Sequence, residues 1–210
     1  MRLQKGIIQS VVGTGEEGYW GDGGPANLAL IGEAYGCDFD QSDSLYLSDG
    51  RNHTVRRIDR INWTITTVAG CGGQGYSGDG GPALLAKLNN LYSLQVDTNR
   101  DIYIVDRLNA AIRKVDFETG IISTVAGTGI LGYSGDGSLG VNAQLREPND
   151  CFLDGMGGLL IADIQDQRIR RLDLNTGIID TFAGNGVKER FGDGKNATDS
   201  SLMGPRAVCM

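Results

Sequence analysis

One glycine-rich sequence, GYSGDGGPA at residues 75–83, recurs along the chain at a constant spacing. Its other copies read GYWGDGGPA at 18–26, GYSGDGSLG at 132–140 and ERFGDGKNA at 189–197. The aspartates in these copies follow one another at intervals of 57 residues, at Asp22, Asp79, Asp136 and Asp193. A period of this length predicts a row of similar supersecondary units, each of which buries its apolar faces against its neighbours.

The segments between two glycine-rich copies have the pattern of short β-strands. In one repeat they read SLQVD (93–97), IYIVD (102–106), AIRKVD (111–116) and IISTVAG (121–127), separated by polar turns. Four such strands form an antiparallel meander. Because a meander has two faces to cover, similar sheets packed face to face around an axis are the expected solution. The sequence therefore predicts an all-β fold, a β-propeller of four-stranded antiparallel blades with IISTVAG as an outermost strand.

The period also divides the chain. We expect a single domain over 1–210 with three complete four-stranded repeats and partial ones at both ends. A first outer strand is predicted at 7–12. The approximate repeat boundaries are 1–33, 34–90, 91–147, 148–204 and 205–210.

The glycine-rich copies lie in four long connections between repeats, which we call glycine loops 1–4 (residues 13–33, 70–90, 127–147 and 184–204). A structural role is favoured over ligand binding, because a calcium site needs six to eight oxygens and each loop motif supplies one recurring carboxylate. Glycine permits positive φ, Asp79 can accept backbone N–H groups, and Pro82 can begin a short helix, ALLAKL. Leu84, Leu85 and Leu88 would then sit on the edges of the blades. The predicted structural loop residues are Asp22, Asp79, Asp136 and Asp193.

Charge and composition exclude several classes of partner. The formal net charge is −7, and the basic pairs recur once per repeat instead of forming a patch, so nucleic acid is not expected. No stretch approaches the roughly 20 apolar residues that span a bilayer. The four cysteines show no CxxC spacing, and we expect them to be small buried residues without disulfides.

The repeat resembles the NHL-repeat family. The resemblance is carried by TGIISTVAGTGILGYSGDG (119–137) and IYIVDRLNAAIRKVD (102–116), and it covers essentially the whole chain. It implies a six-bladed propeller that acts as an interaction platform. Six repeats need more than 210 residues, so the resemblance implies a propeller that is incomplete at the C-terminus, with open blade faces through which chains could associate. Relatives of the same architecture include gluconolactonase-like hydrolases.

Positions that differ between repeats are the candidates for a single functional site, since shared residues are explained by the fold. Such positions lie at the start of each first strand and in the turn after each second strand, which we expect on one rim. Their mixture of Tyr, Arg and Asn is typical of a recognition surface for a protein or a small ligand. His53 aligns with Ala110 and Gln167 and is interpreted mainly as a surface turn residue. The predicted rim residues are Tyr35, Tyr92, Asn149, Arg206, Arg51, His53 and Arg107.

Other polar positions recur in every repeat and are interpreted structurally. Each second strand ends in an aspartate followed three residues later by an Asx residue, which predicts side-chain hydrogen bonds in the turn. These pairs are Asp49 with Asn52, Asp106 with Asn109, and Asp163 with Asp166.

The resemblance also leaves an enzymatic alternative open. Gluconolactonase-like proteins use a glutamate at the start of an inner strand and an asparagine to hold a divalent metal, and Glu33 and Asn149 match these positions. Such a metal, Ca²⁺ or Zn²⁺, could activate water for lactone hydrolysis. Tyr92 and Arg206 stand where further ligands would help. The sequence therefore favours a binding or scaffold module without a cofactor over a metal-dependent hydrolase.

Overall fold

The computed structural model of the protein describes residues 8–210, and its regular structure consists of β-strands and single turns of 3₁₀ helix. Sheet 1 contains β1 (Ala34–Phe39), β2 (Leu45–Asp49), β3 (Thr54–Ile58) and β4 (Ile65–Ala69). Sheet 2 contains β5 (Leu91–Val96), β6 (Ile102–Asp106), β7 (Ala111–Val115) and β8 (Ile122–Ala126). Sheet 3 contains β10 (Pro148–Leu153), β11 (Gly158–Asp163), β12 (Arg168–Asp173) and β13 (Ile178–Ala183), and it is extended by the two-residue strand β9 (Ser138–Leu139).

The 3₁₀ helices lie at Ala26–Leu28, Ala83–Leu85, Arg107–Asn109, Gly140–Asn142 and Ala197–Asp199. Within the part of the chain that is described, no helix has the length and apolarity needed to cross a bilayer. The outer strand predicted at 7–12 begins outside the described residues, and residues 8–12 form no strand.

Within each sheet, consecutive strands pair antiparallel, as the meander pattern predicts. The second strands are buried on both faces because each sheet packs against its neighbours. One apolar cluster joins Tyr46 and Val55 of sheet 1 to Leu94 and Ile104 of sheet 2, and a second cluster joins sheets 2 and 3 in the same way. The core therefore consists of apolar layers between successive sheets, and the residues that form each layer recur with the repeat.

The first strands of the sheets pack side by side and are tied by polar contacts. The backbone N–H of Val96 donates to Asp38 Oδ2 at 2.8 Å, across 58 residues of chain. Val208 donates to Asp150 Oδ2 at 3.0 Å with the same separation. The Ser48 hydroxyl donates to the carbonyl of Tyr92. The contacts of Val96 and Ser48 tie sheet 1 to β5, and the contact of Val208 ties β10 to the C-terminal segment, which forms no strand.

Glycine loops 1, 2 and 3 each attach to the outer edge of the sheet that follows them. In loop 2, Gly80 N donates to the carbonyl of Ile122, and Ile122 N donates to that of Gly81. In loop 3 the same pairing is regular enough to form β9 against β13. The sequence did not predict this additional edge pairing.

The loops also correct two details of the sequence interpretation. After Pro82 the chain makes one 3₁₀ turn, Ala83–Leu85, instead of a helix through ALLAKL. Leu88 is buried, whereas Leu84 and Leu85 are exposed. Of the cysteines, which are all free, Cys151 is buried and the other three are exposed.

Three of the four loop aspartates, Asp22, Asp79 and Asp136, have a different main partner from the one expected. Instead of capping backbone amides, Asp79 Oδ1 accepts from Arg113 Nη2 at 2.6 Å, and Arg113 is buried on the third strand of the following sheet. Arg56 donates to Asp22 Oδ1 through Nε at 3.0 Å and Nη2 at 2.7 Å. The third pair is Arg170 with Asp136 at 2.5 Å, again 34 residues apart.

A tyrosine completes each of these contacts. Tyr76, in loop 2, places its ring 5.1 Å from the guanidinium of Arg113, and its hydroxyl is 3.0 Å from that of Thr124 on the outer strand. The equivalent tyrosines are Tyr19 in loop 1 and Tyr133 in loop 3. Loops 1, 2 and 3 are therefore each held to the following sheet by an ion pair, a cation–π contact and a hydroxyl contact.

Candidate functional site

The rim predicted from the variable positions exists as one edge of the sheets. Strand register places Ala34 opposite Asp49, Leu91 opposite Asp106, and Pro148 opposite Asp163. The start of each first strand therefore lies beside the end of the second strand. Because the first strands pack against one another, residues at this edge from successive sheets come into contact.

Three rim residues form a continuous stack across sheets 1 and 2. The rings of Tyr35 and Tyr92 lie 4.3 Å apart at 19° to each other. The guanidinium of Arg107 lies 4.5 Å from the centre of the Tyr92 ring, on which it can make a cation–π contact. We call Tyr35, Tyr92 and Arg107 the tyrosine–arginine stack. It combines two aromatic rings with a cation, the side-chain types most often found at binding hot spots.

A glycine makes room for this stack. A Cβ on Gly50 would lie 2.7 Å from the Tyr35 ring and 2.6 Å from the carbonyl oxygen of Leu91. The equivalent position in the second repeat is Arg107, which contributes its own side chain to the stack. At this one position, Gly50 in the first repeat leaves space for the Tyr35 ring, whereas Arg107 in the second repeat places a guanidinium group on Tyr92.

Two carboxylates flank the stack. The Tyr35 hydroxyl donates to Glu33 Oε2 at 2.5 Å, and this hydrogen bond raises the pKa of Tyr35 above its ordinary value. Arg107 forms an ion pair with Glu147, which lies at the start of sheet 3. The site therefore runs from Glu33 to Glu147 and spans three repeats, with acceptors at both ends and phenol and guanidinium donors between them.

The remaining predicted rim residues make other contacts. Asn149 donates through Nδ2 to the carbonyl of Arg206 at 2.8 Å. Arg51 forms an ion pair with Glu17 of loop 1, and both side chains are exposed. These residues lie on the same edge as the stack in their own repeats, but no contact joins Arg51 to the stack among the described residues.

His53 lies in the turn after β2, as the sequence predicts, and it also bridges this turn to the residue that precedes β5. It is half-buried at φ +54°, and its Nδ1 accepts the backbone N–H of Asn90 at 3.1 Å. Burial lowers its pKa below the ordinary value, in keeping with a neutral ring that accepts a hydrogen bond. Gln167 occupies the same position in sheet 3 and accepts from Gly204 N at 2.6 Å.

Two of the three strand-end pairs make the side-chain contact predicted for them, whereas Asp163 accepts the backbone N–H groups of Arg146 and Glu147 and makes no side-chain hydrogen bond to Asp166. Asn52 Nδ2 donates to Asp49 Oδ2 at 2.8 Å, and Asn109 Nδ2 donates to Asp106 Oδ2 at 2.9 Å. Asp106 also accepts the N–H of Asn89 and a bond from buried Arg113. Burial raises the pKa of Asp106 to about 6.

The residues of the enzymatic alternative make other contacts in the structure. Residues 8–210 contain no group of three or more His, Cys, Asp or Glu side chains placed to hold one ion. Glu33 accepts the Tyr35 hydroxyl, and Asn149 turns its amide nitrogen toward a backbone carbonyl. These two residues alone fall short of the oxygen donors that Ca²⁺ requires.

Sequence reasoning missed one exposed residue, Trp20. It lies in loop 1 where loops 2 and 3 have Ser77 and Ser134. The signal was present in the first comparison of the repeats, as GYWGDG against GYSGDG. The shared glycines and aspartate define the repeat, and Trp20 is the residue in which loop 1 departs from loops 2 and 3.

Known proteins with similar sequences or structures include an NHL-repeat protein and proteins whose folds superpose on the sheets described above. The bovine NHL repeat-containing protein 2 is 27% identical over 75% of this chain and 22% of its own length. A nutrient-binding protein from Bacteroides ovatus covers 87% of this chain and 44% of its own with a TM-score of 0.63 at 18% identity. A Bacteroides thetaiotaomicron protein of unknown function gives a TM-score of 0.66 at 18% identity, over 84% of this chain and 42% of its own. The fold is an NHL-type β-propeller fold.

Two further findings concern how much of a known protein this chain matches. The Arabidopsis thaliana protein SUPPRESSOR OF QUENCHING 1, chloroplastic, is 29% identical over 63% of the chain, which matches 13% of that protein. The chain thus spans a small part of the length of these curated relatives. No protein-family model matches it. The tyrosine–arginine stack lies at the starts of the first strands of sheets 1 and 2, and the Arg107–Glu147 ion pair extends it to the start of sheet 3.

Proposed function

We propose that this NHL-type propeller is a binding module, and that the edge carrying the tyrosine–arginine stack recognises a protein partner. The supporting observation is the unbroken contact of Tyr35, Tyr92 and Arg107 across two blades, at positions where the repeats differ. A purely architectural role would use the same side chains in every blade, as the loop aspartates do.

The stack favours a protein over a compact ligand because of what it presents. The Tyr92 ring is already engaged by Tyr35 and by the Arg107 guanidinium, so a flat molecule would have to compete with these contacts. The stack also presents the Tyr35–Glu33 pair and the Arg107–Glu147 pair. These groups suit hydrogen bonding to peptide groups and polar side chains on a partner surface. The proposed contact uses side chains alone and needs no metal or cofactor.

The experiment selects peptides from a displayed random library on the wild-type protein and then measures their binding to variants. Tyr35→Ala and Arg107→Ala are expected to weaken the selected peptides about tenfold or more, the loss typical of a hot-spot residue. The matched control is Trp20→Ser, which changes an exposed aromatic outside this edge. Peptides that bind the two stack variants as tightly as the wild type would refute the proposal.

We also propose, following the sequence resemblance, that the three sheets belong to a six-bladed ring. Small-angle scattering on the full-length protein tests this separately. A closed ring gives a compact disc-shaped particle, and an elongated open array would contradict it.

A further inference from the structure

Trp20 stands beside a surface hollow at the outer edge of sheet 1. The hollow has a volume of about 540 Å³ and is lined by Tyr19, Trp20, residues 21–24 and Arg56. Trp20 is 67% exposed and Tyr19 is 46% exposed. The volume lies within the usual range of small-molecule sites.

The exposure of Trp20 is shared by the equivalent positions in loops 2 and 3. Loops 2 and 3 each have a sheet on both sides of their position in the array, and the equivalent Ser77 and Ser134 are exposed there too. The tyrosines behave in the same way, since Tyr76 and Tyr133 remain 42% and 38% exposed. This position therefore faces solvent on the outer perimeter wherever it occurs in the propeller.

The floor of the hollow is polar but carries no net charge. Asp22 Oδ1 receives both hydrogen bonds from buried Arg56, so the two charges offset each other. Among the described residues, Asp22 Oδ2 has no hydrogen-bond partner. In loop 3 the corresponding oxygen, Asp136 Oδ2, is occupied by the hydroxyls of Tyr133 and Thr181, each at 2.7 Å. Asp22 thus keeps a free acceptor on a half-exposed carboxylate.

We propose that this Trp20 hollow binds a neutral pyranose sugar. The C–H face of a pyranose ring packs on an indole, whose negative π face attracts the positive edges of C–H bonds. Its hydroxyls can donate to Asp22 Oδ2, and the glycines around Asp22 leave space for the ring to approach. A charged ligand is disfavoured because the Asp22–Arg56 pair is already neutral.

The test titrates isotope-labelled protein with methyl glucoside, methyl galactoside and N-acetylglucosamine and follows the indole N–H signals by NMR. The chain has two tryptophans, Trp20 and Trp63, so each signal is assigned by one substitution. At least one sugar is expected to move the Trp20 signal saturably, with a dissociation constant on the order of 1 mM, as befits a ligand of this size. The Trp63 signal should stay in place.

Two matched variants separate a binding role from a structural one. Trp20→Ser installs the residue that the fold already uses at 77 and 134, so it should keep the fold and weaken sugar binding at least tenfold. Ser77→Trp adds the indole to loop 2, where Tyr76, Asp79 and Arg113 repeat the other parts, and should create a second site. The proposal is overturned if no sugar in the panel moves the Trp20 signal, or if Trp20→Ser binds sugar as the wild type does. Concentration-dependent broadening of the Trp20 signal without sugar would instead indicate contact between proteins and would also overturn it.

Discussion

The ion pairs between glycine loops and buried arginines predict a graded loss of stability across four equivalent aspartates. The perturbation is Asp→Asn at each loop position, which removes the charge while keeping the size and one hydrogen-bond acceptor. If the aspartates acted only through loop shape, the variants would be equally destabilised. The arginine partners make them unequal.

The loss of stability in each variant depends on which carboxylates still pair with the buried arginine. Arg56 is fully buried, and within residues 8–210 Asp22 is its only carboxylate partner, so Asp22→Asn leaves a buried cation uncompensated. The expected loss is about 3 kcal/mol, at the low end for such pairs because Asp22 is half-exposed. Arg113 keeps a second, buried carboxylate, Asp106, at 3.2 Å. Asp79→Asn should therefore lose about 1 kcal/mol.

The fourth aspartate serves as the internal control. Asp193 is exposed and has no arginine partner in the described part of the chain, so Asp193→Asn should change stability by less than about 0.5 kcal/mol. Asp136→Asn should resemble Asp22→Asn, because Arg170 is buried with Asp136 as its ion-pair partner.

Urea unfolding monitored by circular dichroism measures the series, with the denaturant slope checked for constancy. In a domain of this size, Asp22→Asn should lower the melting temperature by about 6–12 °C and Asp79→Asn by about 2–4 °C. The double variant Asp79→Asn/Asp106→Asn should lose more than the sum of its single changes, since Arg113 then has no acid. Equal losses for Asp22→Asn and Asp79→Asn, or a large loss for Asp193→Asn, would refute the reasoning.

Three further predictions concern single positions. Burial raises the pKa of Asp106 to about 6, so as the pH falls the Asp106 carboxylate takes up a proton in the folded protein before it does so in the unfolded chain. Protonation of Asp106 should therefore add up to about 3 kcal/mol to the free energy of unfolding as the pH falls from about 6 to about 4. Unfolding measured at several pH values should show that Asp106→Asn removes this gain. Gly50→Ala should displace Tyr35 and cost about 1–3 kcal/mol, visible as a lower melting temperature with a reduced near-ultraviolet tyrosine signal, whereas an unchanged signal would contradict the contact. His53→Gln should be nearly neutral in thermal unfolding, while His53→Ala should lose about 1 kcal/mol because the Asn90 amide loses its acceptor, and equal effects of the two changes would exclude the bridge.

The repeat made the architecture predictable from the sequence. A strict 57-residue period with four strand patterns leaves few arrangements that bury both faces of each meander, and the three sheets have the predicted strand order. The turn contacts of Asp49 and Asp106 were also predictable, because they join residues three apart.

The interactions between loop and sheet could not be predicted in the same way. Asp79 and Arg113 are separated by 34 residues, and both recur in every complete repeat, so the period reveals that each matters without revealing that they meet. The same limit applied to His53, whose partner Asn90 is 37 residues away. Periodicity identifies equivalent positions, but it carries no information about which positions of different units touch.

Within the candidate site, the sequence predicts that Tyr35, Tyr92 and Arg107 lie on one rim, because all three are at positions that differ between repeats. It could not place them in a stack, since that depends on how far one sheet rotates against the next. Arg51, predicted with them, turns instead toward Glu17 in loop 1. Side-chain direction at the end of a strand is decided by local neighbours that the period does not specify.

Because glycine loops 1, 2 and 3 are attached to the sheets that follow them, the position of a junction should decide whether a repeat can be transferred between such proteins. A graft that begins at the first strand, at residue 91, would leave Arg113 to meet a foreign loop. A graft that begins at Gly70 carries Asp79, Tyr76 and their contacts along with sheet 2. Recombination, whether in the laboratory or during evolution, should therefore tolerate junctions just after an outer strand far better than junctions just before an inner one.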